Sequence, residues 1–199
     1  MFPATVKINL SHILANWKFF AALRPHCRMV PVIKSDAYGH GLPQVAEALQ
    51  KAGASHLAVF TTGEACTARQ AGFRGEIWVL QGILPDEIPI AAELSLTSAC
   101  WSLENARLLS EYGQSHGLNW RLHLKVDTGM SRLGFMPAEV PAAISALQAL
   151  PNLELCGCFS HLAVSAQPEH PVTRKQVQTF RDLLPLLPEC CRENHLCAT

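Results

Sequence analysis

Residues 30–41 read VPVIKSDAYGHG. An apolar, β-prone run delivers one lysine, Lys34, to a polar, glycine-containing loop that carries Tyr38 and His40. Taken alone, a lysine at such a place is a solvated strand end, its stem along the strand and its ammonium in water. The residues after it decide more. A nucleotide-binding open sheet carries a glycine fingerprint after its first strand, and KSDAYGHG matches neither GxGxxG nor a GxxxxGK phosphate loop. Two parallel α/β architectures suit the chain, a doubly wound open sheet and a (β/α)8 barrel, and the missing fingerprint makes the barrel the expected one.

An alternating rhythm surrounds this segment. Short β-rich runs at RMVPVIK, HLAVF, EIWVLQ, LTSACW, LHLKVD, LELCGCFSH and NHLCAT are separated by helical stretches such as LPQVAEALQKAG, TGEACTARQAG and VTRKQVQTFRDLLPLL. Apolar residues recur in the helices at three- and four-residue spacing, as in Val45, Leu49 and Ala52, so each has one face to pack on a sheet. Gly53, Gly72 and Gly117 stand where C-terminal helix caps belong. The strands are mostly apolar throughout, as in a parallel sheet buried on both faces. Seven barrel strands follow an extra N-terminal strand–helix segment, TVKINLSHILANWKFFAAL, and LPDEIP reads as a turn. The expected fold is an α/β, (β/α)8 TIM-type barrel that stops after its seventh strand, with residues 1–199 as one incomplete domain.

Composition bounds the partners. The chain has 199 residues, 49% hydrophobic, with 16 basic and 16 acidic side chains. It can bury a core, and it has no charge excess to attract nucleic acid or an anionic membrane. A small-molecule partner is expected. No apolar run approaches the roughly 20 residues of a membrane span, and MFPATVKINLSH lacks a basic segment followed by an apolar secretory core. The chain reads as cytoplasmic. Its eight cysteines fall partly inside strand-like runs such as LELCGCFSH, where cysteine acts as a small hydrophobe. Neither Cys156, Cys158 and His161 nor Cys190, Cys191, His195 and Cys197 has the ligand spacing of a structural zinc site, so reduced thiols and no metal are expected.

In parallel barrels, functional groups gather at the C-terminal ends of strands and in the loops that follow. That rule selects Lys34 and Tyr38 after strand one, Lys125, Asp127 and Arg132 in LKVDTGMSRLGF, Ser160 and His161 at the end of strand six, and Thr199. A lysine, aromatic and imidazole donors, an arginine and a hydroxyl are the parts needed to hold a phosphorylated aldehyde as a Schiff base. Pyridoxal phosphate is the cofactor they suggest.

These residues also carry a resemblance. VIKSDAYGHG resembles the cofactor-lysine motif of alanine racemases, and LKVDTGMSRLGF, about ninety residues later, resembles that family's second signature. FSHLAVSAQ is similar to the family's histidine segment, and HLCAT stands where the family usually shows an Ala-Asn-Ser ending. The resemblance covers essentially the whole chain, but only about the first half of a family member.

The resemblance implies a fold type III pyridoxal phosphate enzyme, a homodimer in full length, that interconverts L- and D-alanine and supplies D-alanine for peptidoglycan. It implies that Lys34 forms the internal aldimine and then moves a proton at the substrate α-carbon. Tyr38 falls on a phosphate-contacting tyrosine, Arg132 on an arginine near the cofactor's phenolic oxygen and the substrate carboxylate, and His161 on a histidine packed against the cofactor ring. Lys125 falls on a lysine that many members carry as a carbamate. Thr199 replaces the usual phosphate-binding serine. The family's second base, a tyrosine, comes from a C-terminal β domain of the partner subunit, and this chain is expected to lack that domain. Other readings are a non-catalytic pyridoxal phosphate homeostasis barrel, a racemase of another amino acid such as serine, and a decarboxylase of the same barrel type. The Lys125-to-Arg132 spacing favours the racemase.

Overall fold

Asn9 starts the first helix: its side chain accepts a hydrogen bond from the Ser11 amide, and α1 (Leu10–Leu23) follows. The computed structural model describes residues 4–197, gathered into two compact units, Met1–Leu80 and Gln81–Thr199. Residues 4–9 were expected to form a strand before α1. They are exposed and form none, because a strand needs a hydrogen-bonded neighbour and none of the described residues supplies one.

The first expected barrel strand, RMVPVIK, is reduced to a parallel bridge between Val32 and Ala58. Its two backbone hydrogen bonds run from Ile33 N to Ala58 O and from Ala58 N to Pro31 O, each 2.9 Å. Pro31 has no N–H to extend the ladder. A single turn, α2 (Lys34–Gly39), then leads into α3 (Leu42–Lys51), which buries Leu42, Val45, Ala46 and Leu49 on one face. Two parallel strands complete the first unit, β1 (His56–Val59) and β2 (Glu76–Val79), joined by α4 (Thr62–Gln70) and aligned from His56 opposite Glu76 to Val59 opposite Val79.

The second unit repeats the pattern. LPDEIP is more than a turn: Pro85–Glu87 is a 3-10 turn that runs into α5 (Ile88–Glu93), with proline in the first helical turn, where its missing N–H costs nothing. Next come β3 (Thr97–Cys100), α6 (Leu103–His116), β4 (Trp120–Lys125), α7 (Val140–Gln148), β5 (Leu153–His161), α8 (Pro171–Leu183) and β6 (His195–Cys197). The four strands pair in parallel in chain order. Gly117 ends α6 in the left-handed conformation, φ 65°.

One strand alternates where mostly apolar strands were expected. On β4, Leu122 and Leu124 alternate with Arg121, His123 and Lys125, and the polar set faces Glu193, Phe159 and His195. Glu193 Oε2 accepts from His123 Nε2 at 2.9 Å and from Arg121 Nη2 at 3.2 Å. The segment before β6 reaches this position because β5 bulges and narrows at Gly157, where a Cβ would come within 2.1 Å of the Glu193 carbonyl oxygen. Among the described residues, no helix is long and apolar enough to cross a membrane. All eight cysteines are free thiols.

Candidate active site

Lys34 opens a turn of unusual hand. Ser35, Asp36, Ala37 and Tyr38 have φ of 51–56° and ψ of 38–53°, so α2 is one left-handed turn, closed by Ala37 N donating to Ile33 O at 3.0 Å. Each non-glycine residue in this region costs about 1–2 kcal/mol relative to the right-handed one, so the turn has to be held by its surroundings. The motif residues do part of this. Asp36 tolerates the conformation, and its Oδ1 accepts from Leu42 N at 2.7 Å, capping the start of α3. His40 Nδ1 donates to Ala37 O at 2.7 Å. Ala37 is buried. Outside the motif, Glu64 Oε1 accepts from Ser35 N at 2.7 Å. The left-handed turn brings Tyr38 back over Lys34, whose Nζ lies 5.9 Å from the centre of the ring.

In the second unit, Lys125 ends β4 and is buried. Its Nζ sits 4.3 Å from the centre of the Phe159 ring. Burial pulls its pKa down to about 8, the charge of Arg132 pulls the same way, and Asp127 and Cys158 oppose it. On the other side of this aromatic contact His195 stacks on Phe159, centres 4.8 Å apart. Burial, with His123 and Lys125 nearby, lowers its pKa to about 3, so it is neutral at pH 7.

The loop after β4 is organised by Asp127 rather than by a salt bridge to Arg132. Its Oδ1 accepts from Gly129 N at 2.9 Å and Ser131 N at 3.0 Å, and its Oδ2 accepts from Arg132 N at 2.7 Å. Burial works to raise the Asp127 pKa, but these amides and that of Met130 favour the carboxylate and hold the value below its usual range. The loop then folds back so tightly that Gly134 is obligatory: a Cβ there would lie 2.8 Å from both Asp127 N and Val126 C. Phe135 bridges Val126 in consequence. Arg132 is thereby presented on an exposed but braced loop.

His161 ends β5, and its carbonyl accepts from Gln176 Nε2 at 2.9 Å. Gln176 is fully buried on α8; it also donates to Thr128 Oγ1 at 3.3 Å and accepts from Ala163 N at 2.9 Å. Thr128 and Ser160 share a hydroxyl hydrogen bond of 2.8 Å. Thus Lys125, Asp127 and Arg132 meet in one unit and Lys34 and Tyr38 in the other. Thr199 lies outside the described residues. Sequence reading does not single out Glu64 or Gln176. Glu64 had one local signal, the Thr61-to-Glu64 capping-box spacing; Gln176 had none.

Parallel strands alternating with helices define the class, an α/β domain; its first unit carries Lys34 on a braced turn, and its second carries the buried Lys125, of low pKa, with Arg132 near it. The model of the family described as "Alanine racemase, N-terminal domain" matches residues 8–199. The chain belongs to the alanine racemase family. It is 36% identical over 189 residues to alanine racemase from Desulforamulus reducens, covering 94% of this chain and 51% of that one. Among solved structures it superposes on alanine racemase from Clostridium difficile 630 with a TM-score of 0.86 and 31% identity, covering 98% of this chain and 53% of that one. Alanine racemase from Bartonella henselae, solved with covalently bound pyridoxal phosphate, matches with a TM-score of 0.85 and 26% identity, over 98% of this chain and 57% of that one. The fold is that of the alanine racemase N-terminal domain, and the family is pyridoxal phosphate-dependent. The chain spans about half the length of the relatives it matches.

Proposed function

We propose that this chain forms the cofactor-binding part of a racemase that interconverts L- and D-alanine, with pyridoxal phosphate attached through Lys34. What supports this most directly is Lys34 itself: an amine at the end of a bridged strand, set on a left-handed turn in a segment matched to the family. The donor set fits the cofactor. An amine suits its aldehyde, a phenol and a hydroxyl suit its phosphate, and a guanidinium suits its phenolic oxygen. When bound, pyridoxal phosphate supplies an electron sink that stabilises negative charge at the substrate α-carbon.

The chain's own residues would then act as follows. Lys34 binds the cofactor covalently and, once freed by the incoming substrate amine, takes or returns the α-proton on one face. Tyr38 and Thr199 donate hydroxyl hydrogen bonds to the phosphate. Arg132, always charged and bidentate, orients the substrate carboxylate. His161 packs against the cofactor ring. Lys125, with its pKa near 8, keeps enough neutral amine near neutral pH to take up carbon dioxide as a carbamate, whose negative charge then faces Arg132. D-alanine for peptidoglycan, a cytoplasmic site and a homodimer with a C-terminal β domain belong to the same reading.

The test is chemical. After reconstitution with pyridoxal phosphate, borohydride reduction and peptide mapping should put the label on Lys34, and Lys34→Ala should abolish it. Label on Lys51 or Lys125 instead would overturn the assignment.

A further inference from the structure

The left-handed turn that carries Lys34 is held from outside by one carboxylate. Glu64 Oε1 accepts from Ser35 N at 2.7 Å. Its Oε2 accepts from Phe60 N at 2.7 Å and from Thr61 N at 3.2 Å. Both oxygens are therefore occupied by N–H donors from two separate places: the residue after Lys34, and the exit of β1, directly after Val59. β1 is also the strand that bridges Val32. The lysine is thus gripped on its N-terminal side by the Val32–Ala58 bridge and on its C-terminal side by Glu64.

The geometry points to Glu64 as a positioning residue for Lys34, acting through the Ser35 amide, an inference that rests on the reading of Lys34 as the cofactor lysine. The first amides of a helical turn have no partner within the turn. Here Ser35 would meet only water, and the four left-handed residues that follow would lose an anchor that their conformation requires. A charged acceptor makes a hydrogen bond about twice as strong as a neutral one. Glu64 also caps α4, as Thr61 Oγ1 accepts from Glu64 N at 3.2 Å, so its own backbone is fixed and it can act as a rigid strut. The side chain is matched to the task. Glutamine has the same shape but only one accepting oxygen; the Phe60 and Thr61 amides, two donors against one, take that oxygen and leave the NH2 group facing Ser35 N. Aspartate is shorter by a methylene and cannot span them.

The variant Glu64→Gln separates this role from helix capping when it is set beside Thr61→Ala, which weakens the α4 cap and leaves the Ser35 contact in place. Two measurements on the intact protein are needed. The first is hydrogen–deuterium exchange of the peptide covering residues 33–41 without cofactor; Glu64→Gln should speed exchange there at least tenfold, and Thr61→Ala should not. The second is the rate at which pyridoxal phosphate becomes borohydride-trapped on Lys34, which should fall by ten- to a hundredfold in Glu64→Gln alone, the scale of loss expected for a misplaced reacting group. Unchanged exchange in Glu64→Gln, or equal defects in both variants, would overturn the proposal. If the wild type is never labelled on Lys34, the functional reading fails instead, while the exchange measurement still reports whether Glu64 holds the turn.

Discussion

Lys125 carries a cost that pH can reveal. Its ammonium is buried over the face of Phe159, with Arg132 adding like charge, and its pKa falls from 10.5 to about 8. The unfolded chain therefore binds this proton more tightly than the folded one. Below pH 8 the full penalty opposes folding; as pH rises from about 8 to 10.5 the folded lysine is already neutral while the unfolded one is still losing its proton, and the penalty disappears. Buried thiols contribute as well, since Cys158 is pushed up to about 12 in the fold while an unfolded thiol titrates within this range, so the comparison has to be with a variant. Lys125→Met should be more stable than the wild type at pH 7 in carbon dioxide-free buffer. Its advantage should shrink by roughly 3 kcal/mol between pH 8 and 10.5. Urea denaturation of both proteins across that range is the measurement, and a constant difference would show that the ammonium is not desolvated. Lys125 was legible in the sequence as a candidate because it ends a strand-like run. Its depressed pKa was not, since Phe159 and the fold of the Arg132 loop create it.

At the scale of elements, the loop after β4 shows how a short motif becomes a rigid platform. Asp127 gathers three amides from Gly129, Ser131 and Arg132, and Gly134 permits the chain to close back on Val126. Two glycines with positive φ offer a controlled comparison. Gly117, φ 65°, has open space where a Cβ would go, so Gly117→Ala should cost only the left-handed conformation, about 1 kcal/mol. Gly134, φ 129°, has backbone atoms within 2.9 Å, so Gly134→Ala should cost more, about 3 kcal/mol, and should loosen the Arg132 loop. Equal losses in thermal or urea unfolding would mean that the close approach relaxes freely. Most helices and strands could be located from periodicity and glycine caps. The two segments misread as strands have different causes: residues 4–9 find no neighbour among the described residues, which periodicity does not encode, whereas RMVPVIK has Ala58 beside it and is cut to one bridge by Pro31.

On the scale of the whole molecule, racemisation needs a proton donor and acceptor on both faces of the α-carbon. The sequence has two tyrosines. Tyr38 belongs to the Lys34 turn, and Tyr112 lies on α6 with its ring stacked 3.9 Å from that of His116. The chain also spans about half of its relatives. Expressed by itself, the 199-residue chain should therefore fail to convert L-alanine into D-alanine, as followed by chiral chromatography, even where Lys34 exchanges the α-hydrogen on its own face, and should regain conversion when the C-terminal half of a relative is co-expressed with it. Racemisation by the chain alone at the complemented rate would refute a second base outside these residues. By itself the sequence determined what is local or repeated: the βα alternation, the strand-end positions of Lys34, Lys125 and His161, and two motifs specific enough to indicate the family. The tertiary structure alone decided the left-handed turn, the low pKa of Lys125 and the supporting roles of Glu64 and Gln176. Those depend on partners 29 residues away for Glu64 and Ser35 and 48 residues away for Gln176 and Thr128. Hydrogen bonding and desolvation act over a few ångströms in space, and separations of that length along the chain leave no pattern in its sequence.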